Sequence, residues 1–105
     1  MSNGTLGMIS LSRKAGKLIA GFDTVKQAAG ERKAAAVLTA ADVSAKTLKE
    51  VVYFCEKYEV PHLKLMESMA ELAQVTGRKA GVLALTDPNF AERIAIMAAA
   101  SNKEE

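Results

Sequence analysis

The sequence predicts an α/β fold, a three-layer α/β/α sandwich around a four-stranded sheet. Short apolar runs alternate along the chain with segments whose apolar residues recur at helical spacing. The order is one helix followed by four strand–helix pairs, and a sheet connected by helices in this way is covered on both faces. The chain has 105 residues, half of them hydrophobic, which suits one domain over residues 1–100 and a flexible tail over 101–105.

The first third of the chain supplies two helices around a short strand. The first helix is predicted over 5–15, and Gly16 closes it in the usual C-terminal position. Its inward side chains are Leu6, Ile9 and, as a further candidate, Met8. A strand over 17–20 precedes a helix over 23–29, which Gly30 ends. The apolar face of this second helix consists of Phe22, Val25, Ala28 and Ala29.

The middle of the chain supplies two strands around a longer helix. The continuously apolar run over 35–40 is typical of a strand buried on both faces. Ser44 caps the next helix, because its hydroxyl can accept from a free backbone N–H of the first turn. The inward stripe of that helix is predicted to be Leu48, Val51, Val52 and Cys55. Pro61 then breaks the chain before a short strand over 62–65.

The last third follows the same alternation. A Ser-x-x-Glu capping box at 68–71 opens the fourth helix, which Gly77 ends. The last strand spans 81–85, and the Asp-Pro pair at 87–88 starts the final helix. The apolar stripe of this helix is Phe90, Ile94 and Met97. Three methionines are expected to fill gaps in the core: Met66, Met69 and Met97.

Positive charge is concentrated at the start of the chain. The first 33 residues carry six basic and two acidic side chains, whereas the remaining residues carry eight and ten. This asymmetry predicts a face that attracts anions, and an ordinary solvated lysine-rich surface is the alternative. No run approaches the ~20 apolar residues that span a bilayer, and the N-terminus lacks a signal-peptide pattern. We therefore expect a cytoplasmic protein without a membrane partner.

The sequence contains little that indicates catalysis or cofactor binding. Gly16 and Gly21 match the G-x-x-x-x-G spacing of a phosphate loop, but Phe-Asp at 22–23 replaces the required Lys-Ser/Thr, and no strand precedes Gly16. His62, the one histidine, fits a partly buried residue at a strand start. Cys55, the one cysteine, excludes an internal disulfide and fits an inert core thiol. The sequence predicts no enzyme, no catalytic residues, no cofactor and no metal site.

Nucleic-acid binding is the better-supported class. Besides the basic first third, a helix N-terminus at 21–24 offers free backbone N–H groups to phosphate. A second loop at 76–81 carries Arg78 and Lys79 between glycines, which let a backbone approach a ligand closely. The alternative for this loop is an ordinary helix-to-strand connection. With no tryptophan, and most of the five other aromatic residues assigned to packing, we expect recognition of shape and backbone rather than base stacking.

Four blocks of sequence, in order, carry a resemblance to a known family. They are RKAGKLIAGFDTVKQAA, KAAAVLTAADVSAKT, FCEKYEVPHLKL and ELAQVTGRKAGVLALTD. Together they resemble the ribosomal L-seven-Ae, L-thirty-e and S-twelve-e family of RNA-binding proteins, and within it the bacterial YlxQ-like branch, over about residues 5–97. The resemblance implies an α/β/α sandwich and binding of kink-turns, sharply bent RNA duplexes with tandem sheared G·A pairs. Its implied partners are structured RNA, either ribosomal or kink-turn-like, with ribosomal proteins as further partners.

The resemblance also implies where RNA binds. The RNA face of the family is built from the junction after the first strand and the loop before the last strand, which correspond here to 21–27 and 75–81. With the neighbouring Lys17, the candidate RNA-binding residues are Lys17, Gly21, Phe22, Asp23, Thr24, Lys26, Gln27, Thr76, Gly77, Arg78 and Lys79.

The junction departs from the family pattern at three positions. Kink-turn binders read G-x-Asn-Glu-x-x-Lys there, and this chain has Asp23, Thr24 and Gln27 at the last three specified positions. A carboxylate cannot donate the hydrogen bonds of an amide. The first hypothesis is therefore a non-catalytic, ribosome-associated binder of structured RNA. The second is a protein-interaction module that has lost kink-turn specificity, with Phe22 as an exposed anchor. An enzyme dependent on His62 has the least support.

Overall fold

The computed structural model of the chain describes residues 4–103 and confirms the three-layer α/β/α fold. The order of elements is the predicted one. The elements are α1 (Gly4–Lys14), β1 (Leu18–Ala20), α2 (Phe22–Gly30), β2 (Ala36–Thr39), α3 (Ala45–Tyr58), β3 (His62–Lys64), α4 (Met69–Thr76), β4 (Val82–Leu85) and α5 (Pro88–Lys103). Residues 104 and 105 of the predicted tail lie outside the described residues, and α5 continues through 101–103.

The sheet is mixed, with strand order β1-β4-β2-β3. β4 is antiparallel to both of its neighbours, β1 and β2, whereas β2 and β3 are parallel. Every residue of the two inner strands, β2 and β4, is buried, as their continuously apolar sequences predict. The short outer strands β1 and β3 are only partly buried.

Side chains alternate between the two faces of the inner strands and form two cores. Helices α1, α4 and α5 cover one face, where Leu38, Leu83 and Leu85 pack with Ile94. Helices α2 and α3 cover the other face, where Val37 and Ala84 pack with buried side chains of both helices. β1 and β2 are both antiparallel to β4, so the helices that follow them, α2 and α3, begin at the same edge of the sheet.

The predicted helix ends agree with the backbone geometry. The Ser44 hydroxyl accepts from the Thr47 N–H at 3.1 Å. The capping box at 68–71 is complete, with both reciprocal hydrogen bonds formed. Gly77 adopts the left-handed conformation, φ 81°, at the end of α4. Asp87 Oδ1 accepts from the Asn89 N–H at 2.8 Å at the start of α5.

The inward stripe of α3 differs from the prediction. Val52 is 36% exposed, whereas Phe54 is 2% exposed and belongs to the core. Val51 and Cys55 are buried as predicted, and Phe54 takes the place of Val52 on the buried face. Both sets of residues satisfy the i, i+3, i+4 spacing, so periodicity alone did not separate them. The large Phe54 ring decides the rotation of the helix, because it fills the space beside the Phe22 ring.

The prediction at Gly30 is confirmed, whereas the one at Met66 is wrong. Gly30 is the last residue of α2, and Arg32 takes the left-handed conformation, φ 61°, after the helix. The Tyr58 ring of α3 packs against α2 at Gly30, where an added Cβ would lie 3.4 Å from it. Met66 is 51% exposed and does not fill the core, because it lies in the loop between β3 and α4.

Candidate nucleic-acid interface

The first turn of α2 presents backbone donors that the helix itself does not use. Gly21 precedes the helix with φ 109°, and no side chain among the described residues caps it. The Gly21 N–H donates to the Val82 carbonyl at 2.9 Å, and the Gly21 carbonyl accepts from the Val25 N–H at 2.9 Å. The N–H groups of 22–24 lie in the first turn and have no partner within the helix. The N-terminus of α2 is also the positive end of the helix dipole, so it suits an anion.

The loop between α4 and β4 is held by its own hydrogen bonds. The buried Thr76 hydroxyl donates to the Arg78 carbonyl at 2.9 Å. The Gly77 N–H donates to the Ala73 carbonyl at 2.9 Å, which closes α4. The Gly81 carbonyl accepts from the Ala40 N–H at 2.9 Å and joins the loop to the end of β2. The backbone is thus fixed, while the side chains of Arg78 and Lys79 are exposed.

The structure brings the two predicted segments together. β1 and β4 are antiparallel, with Ala20 opposite Leu83, so the junction after β1 and the loop before β4 lie at the same edge of the sheet. A Cβ on Gly21 would lie 3.5 Å from Arg78 Nη2. A cleft of about 410 Å³, named here the junction cleft, lies between them. It is lined by Gly21, Phe22, Val43, Ser44, Thr47, Met69, Arg78, Lys79, Ala80, Gly81 and Val82.

The loop between β2 and α3 forms a third wall that the sequence prediction missed. Val43 packs so closely on Gly81 that a Cβ there would overlap Val43 Cγ1. Asp42 Oδ1 accepts from the Met69 N–H at 2.8 Å, which ties this loop to the start of α4. The position of this loop depends on strand direction: β1 and β2 both run antiparallel to β4, so their ends lie at the same edge of the sheet. Strand direction is a tertiary property, so the local sequence carries no signal for it.

Arg13 is a second residue that the predicted site omits. Its Nη1 donates to the Val75 carbonyl at 3.4 Å, and its Nη2 lies 3.0 Å from the position of a Cβ on Gly77. Arg13 and Arg78 share a second cleft of about 430 Å³ with Thr24, Thr76 and the free edge of β1. Among residues 4–103, no carboxylate lines that cleft, so the two guanidinium groups suit an anionic ligand.

Some predicted residues lie away from the junction cleft. The Lys17 carbonyl accepts from the Thr86 N–H at 2.9 Å, beyond the far end of β1. Lys17 is four residues from Gly21, roughly 13 Å along an extended strand. Gln27 Nε2 donates to Glu31 Oε2 at 3.0 Å, toward the end of α2. Lys26 lies in a separate groove between α2 and α3.

The remaining residues of the junction lie in the first turn of α2. Asp23 and Thr24 are both exposed there. Phe22 is half-buried, and its ring packs edge-on against the Phe54 ring with 5.8 Å between centroids. It is therefore partly a core residue, which leaves less of its surface for the exposed anchor suggested by the second hypothesis.

The two groups considered for catalysis are engaged in packing. His62 Nε2 is hydrogen-bonded to Thr39 Oγ1 at 2.9 Å. Burial lowers the pKa of His62, with a smaller contribution from Lys64. Burial raises the pKa of the Cys55 thiol to about 11, so it is protonated near neutral pH. Over residues 4–103, no helix is long and apolar enough to cross a membrane.

Comparison with known proteins extends these observations. Residues 5–95 match the ribosomal protein L7Ae/L30e/S12e/Gadd45 family. The chain is 35% identical over 88 residues to the RNA-binding protein YlxQ of Bacillus subtilis (strain 168), covering 83% of this chain and 87% of that protein. It is likewise 35% identical over 88 residues to the RNA-binding protein YlxQ of Enterococcus faecium, covering 84% of each.

A solved structure shows the same fold. It belongs to a protein of unknown function from Bacillus halodurans C, with a TM-score of 0.84 and 22% identity, covering 90% of this chain and 96% of the other. The family match and the two YlxQ relatives confirm the resemblance seen in the four sequence blocks. The chain belongs to the ribosomal protein L7Ae/L30e/S12e/Gadd45 family.

Proposed function

We propose that this chain is a non-catalytic RNA-binding protein that recognises structured RNA at the junction cleft. The observation that carries the proposal is the position of the Arg78 guanidinium beside Gly21, at the positive end of α2. The two YlxQ relatives, which are named RNA-binding proteins, support it. The site offers cations and backbone donors, which are the groups that contact phosphate.

The geometry favours contact with the RNA backbone. Gly21, with no side chain, leaves the N–H groups of the first turn of α2 open to a phosphate. Arg78 can then hold the same or the next phosphate in a bidentate contact, and Lys79 adds an exposed charge. We propose that phosphates cross the cleft in the direction from α2 to the loop before β4.

The chemistry of the first turn bears on kink-turn specificity. Asp23 accepts hydrogen bonds from the amino groups of bases but donates none. Thr24 both donates and accepts through one hydroxyl. We propose that the protein binds a bent, ribosome-associated RNA, and that its base contacts differ from those of an Asn-Glu pair.

A gel-shift experiment tests the site and the specificity together. A standard kink-turn, an unkinked duplex and whole ribosomal RNA are compared at two salt concentrations, with wild type and R78A/K79A. Loss of two phosphate contacts should weaken binding to every RNA and lower the slope of log affinity against log salt by about two. The matched control is K33A/K57A, which removes two exposed cations, one in the connection between α2 and β2 and one in the last turn of α3.

The outcomes separate the parts of the proposal. If R78A/K79A and K33A/K57A weaken binding equally, the protein attracts RNA through its net charge and the junction cleft is not the site. Equal affinity of the wild type for kinked and unkinked duplexes removes the kink-turn proposal and leaves a backbone binder. Preference for ribosomal RNA over both duplexes supports the ribosomal association.

A further inference from the structure

A second concave surface adjoins the junction cleft. It is a groove of about 630 Å³ between α2 and α3, named here the helical groove. Its lining combines aromatic side chains with lysines, and consists of Phe22, Lys26, Lys46, Lys49, Glu50, Tyr53 and Phe54. No part of the predicted site except Phe22 and Lys26 lies in it, so most of the groove has no role in the proposed function.

Tyr53 is the unusual residue of the helical groove. Its side chain is 67% exposed, although large aromatic residues are normally used for packing. The other tyrosine, Tyr58, is half-buried, and its ring packs beside Gly30 of α2. Most of the aromatic residues were expected to pack in the core, and Tyr53 is an exception to that majority. An exposed aromatic ring beside cations is the arrangement on which unpaired bases stack.

The charges around Tyr53 are predominantly positive. Lys46 and Lys49 precede it by seven and four residues on α3, so all three lie on one face of that helix. Lys26 faces them from α2, and Glu50 is the one carboxylate that the described part of the chain contributes to the lining. Among residues 4–103, the ion pair found is Lys33–Glu31, which lies elsewhere. The three lysines of the groove are exposed and available to a polyanion.

The helical groove is continuous with the junction cleft. Phe22 lines both, and on α3 the cleft residue Thr47 follows the groove residue Lys46 directly. From Thr47 to Tyr53 the helix advances about 9 Å. A chain that leaves the cleft beside Phe22 therefore meets Lys46, Lys49 and then Tyr53.

We propose that the helical groove binds an unpaired RNA segment that flanks the structured RNA in the junction cleft. One base stacks on Tyr53, and the adjoining phosphates contact Lys26, Lys46 and Lys49. This proposal rests on the proposed function, because the structured part of the RNA places the flanking segment at the groove. Stacking on a ring tolerates every base, so the groove adds affinity with little sequence preference.

An acidic peptide is the competing occupant, since it also complements three lysines and a tyrosine. RNA is favoured because the groove opens into a cleft lined by further cations and a helix N-terminus. Phe22 lines both the groove and the cleft, so an RNA bound in the cleft can continue into the groove, whereas an isolated peptide would use the groove alone.

The test compares one structured RNA with and without a four-nucleotide unpaired extension. The protein is the Y58F variant, in which Tyr53 is the one remaining tyrosine of a chain without tryptophan. We expect the extension to tighten binding about tenfold, in the range of one stacked base, and to quench Tyr53 emission. K46A/K49A should lower the salt slope for the extended RNA by about 1.4, at about 0.7 for each contact to a single strand.

Matched substitutions test whether the tighter binding of the extended RNA comes from the aromatic ring of Tyr53. Y53A should abolish the tenfold gain and leave binding of the RNA without extension unchanged, whereas Y53F should retain the gain. V52A, at a neighbouring exposed position outside the groove lining, should leave both affinities unchanged.

The results decide between the two proposals. Equal affinity for both RNAs, with Tyr53 emission unquenched, overturns the helical-groove proposal and leaves the proposed function intact. Failure to bind the RNA without extension counts against the proposed function. Quenching of Tyr53 by an acidic peptide, with none by the extended RNA, assigns the groove to a peptide and overturns the proposal.

Discussion

Gly21 joins strand β1 to helix α2 in a conformation that side chains avoid. At φ 109° and ψ 138°, an L residue would suffer backbone strain. The Arg78 guanidinium lies beside this glycine, and its Nη2 would be in ordinary van der Waals contact with an added Cβ, at 3.5 Å. Gly21 therefore has two roles: its positive φ affects the stability of the junction, and its position beside Arg78 places it at the proposed contact with RNA.

Substitution of Gly21 by Ala should therefore affect both properties. We expect G21A to lose about 1–3 kcal/mol of unfolding free energy, because alanine must adopt the strained conformation. It should also weaken RNA binding, since the added methyl group lies in the path of a phosphate at the first turn of α2. Urea denaturation and gel shifts measure the two effects.

The control for this change is Gly7 inside α1, where an added Cβ meets no atom of the described residues within 4 Å. G7A should raise the unfolding free energy by roughly 0.5–1 kcal/mol, because alanine favours the helix, and should leave RNA affinity unchanged. If G21A is as stable as wild type, the positive φ at residue 21 does not require glycine, and this prediction is wrong.

At the scale of elements, helix α3 carries both core and surface functions on different faces. Phe54 and Val51 face the sheet, whereas Tyr53 faces the helical groove. The rotation that buries Phe54 is the rotation that exposes Tyr53, because neighbouring helical residues are separated by about 100°. Packing at Phe54 thus determines how the groove is lined.

The rotation of α3 can be tested by truncating its two candidate core residues. F54A should cost about 3–5 kcal/mol, because it removes a fully buried ring and its contact with Phe22. V52A should change stability by less than about 0.5 kcal/mol, as expected for an exposed site. Chemical denaturation measures both. A larger loss from V52A than from F54A would restore the stripe predicted from the sequence.

This example shows what the sequence does and does not determine. Element order, the capping box at 68–71 and the Gly77 terminus follow from local chemistry and were predicted correctly. The rotation of α3 depends on which large side chain fits against Phe22, and that is a tertiary property. Arg13 and Val43 were missed at the site for the same reason, because they reach it from distant segments.

At the scale of the whole molecule, the topology concentrates helix N-termini at one edge of the sheet. β1, β2 and β3 run in the same direction, since β1 and β2 are each antiparallel to β4 and β3 is parallel to β2. The helices that follow them, α2, α3 and α4, all begin near that edge. The loop with Arg78 and Lys79 enters β4 at the same edge. Partial positive charges and full cations therefore accumulate where we propose that RNA binds.

Stability of the whole fold should depend on His62, which lies on β3 away from the cleft residues. Its pKa is lowered in the folded state by burial and by Lys64, so the unfolded chain binds the proton more tightly. The folded state then loses stability as pH falls through the ordinary histidine range, near 6.5, toward the lowered value. Above that range the imidazole is neutral in both states, and its contribution to pH dependence vanishes.

We expect the thermal unfolding temperature of the wild type to decrease when pH is lowered from 7.5 to 5. The decrease should be smaller in H62Q. The glutamine side chain of this variant is uncharged at both pH values and retains a polar group for Thr39. The pKa of Glu31 is lowered from 4.5 in the folded state by its hydrogen bond with Gln27 and by Lys33. This carboxylate is present in wild type and in H62Q, so its contribution near pH 5 cancels in the comparison. Calorimetry at pH 7.5, 6.5, 5.8 and 5 measures the effect. An identical fall in wild type and H62Q would show that the proton taken up on unfolding binds elsewhere.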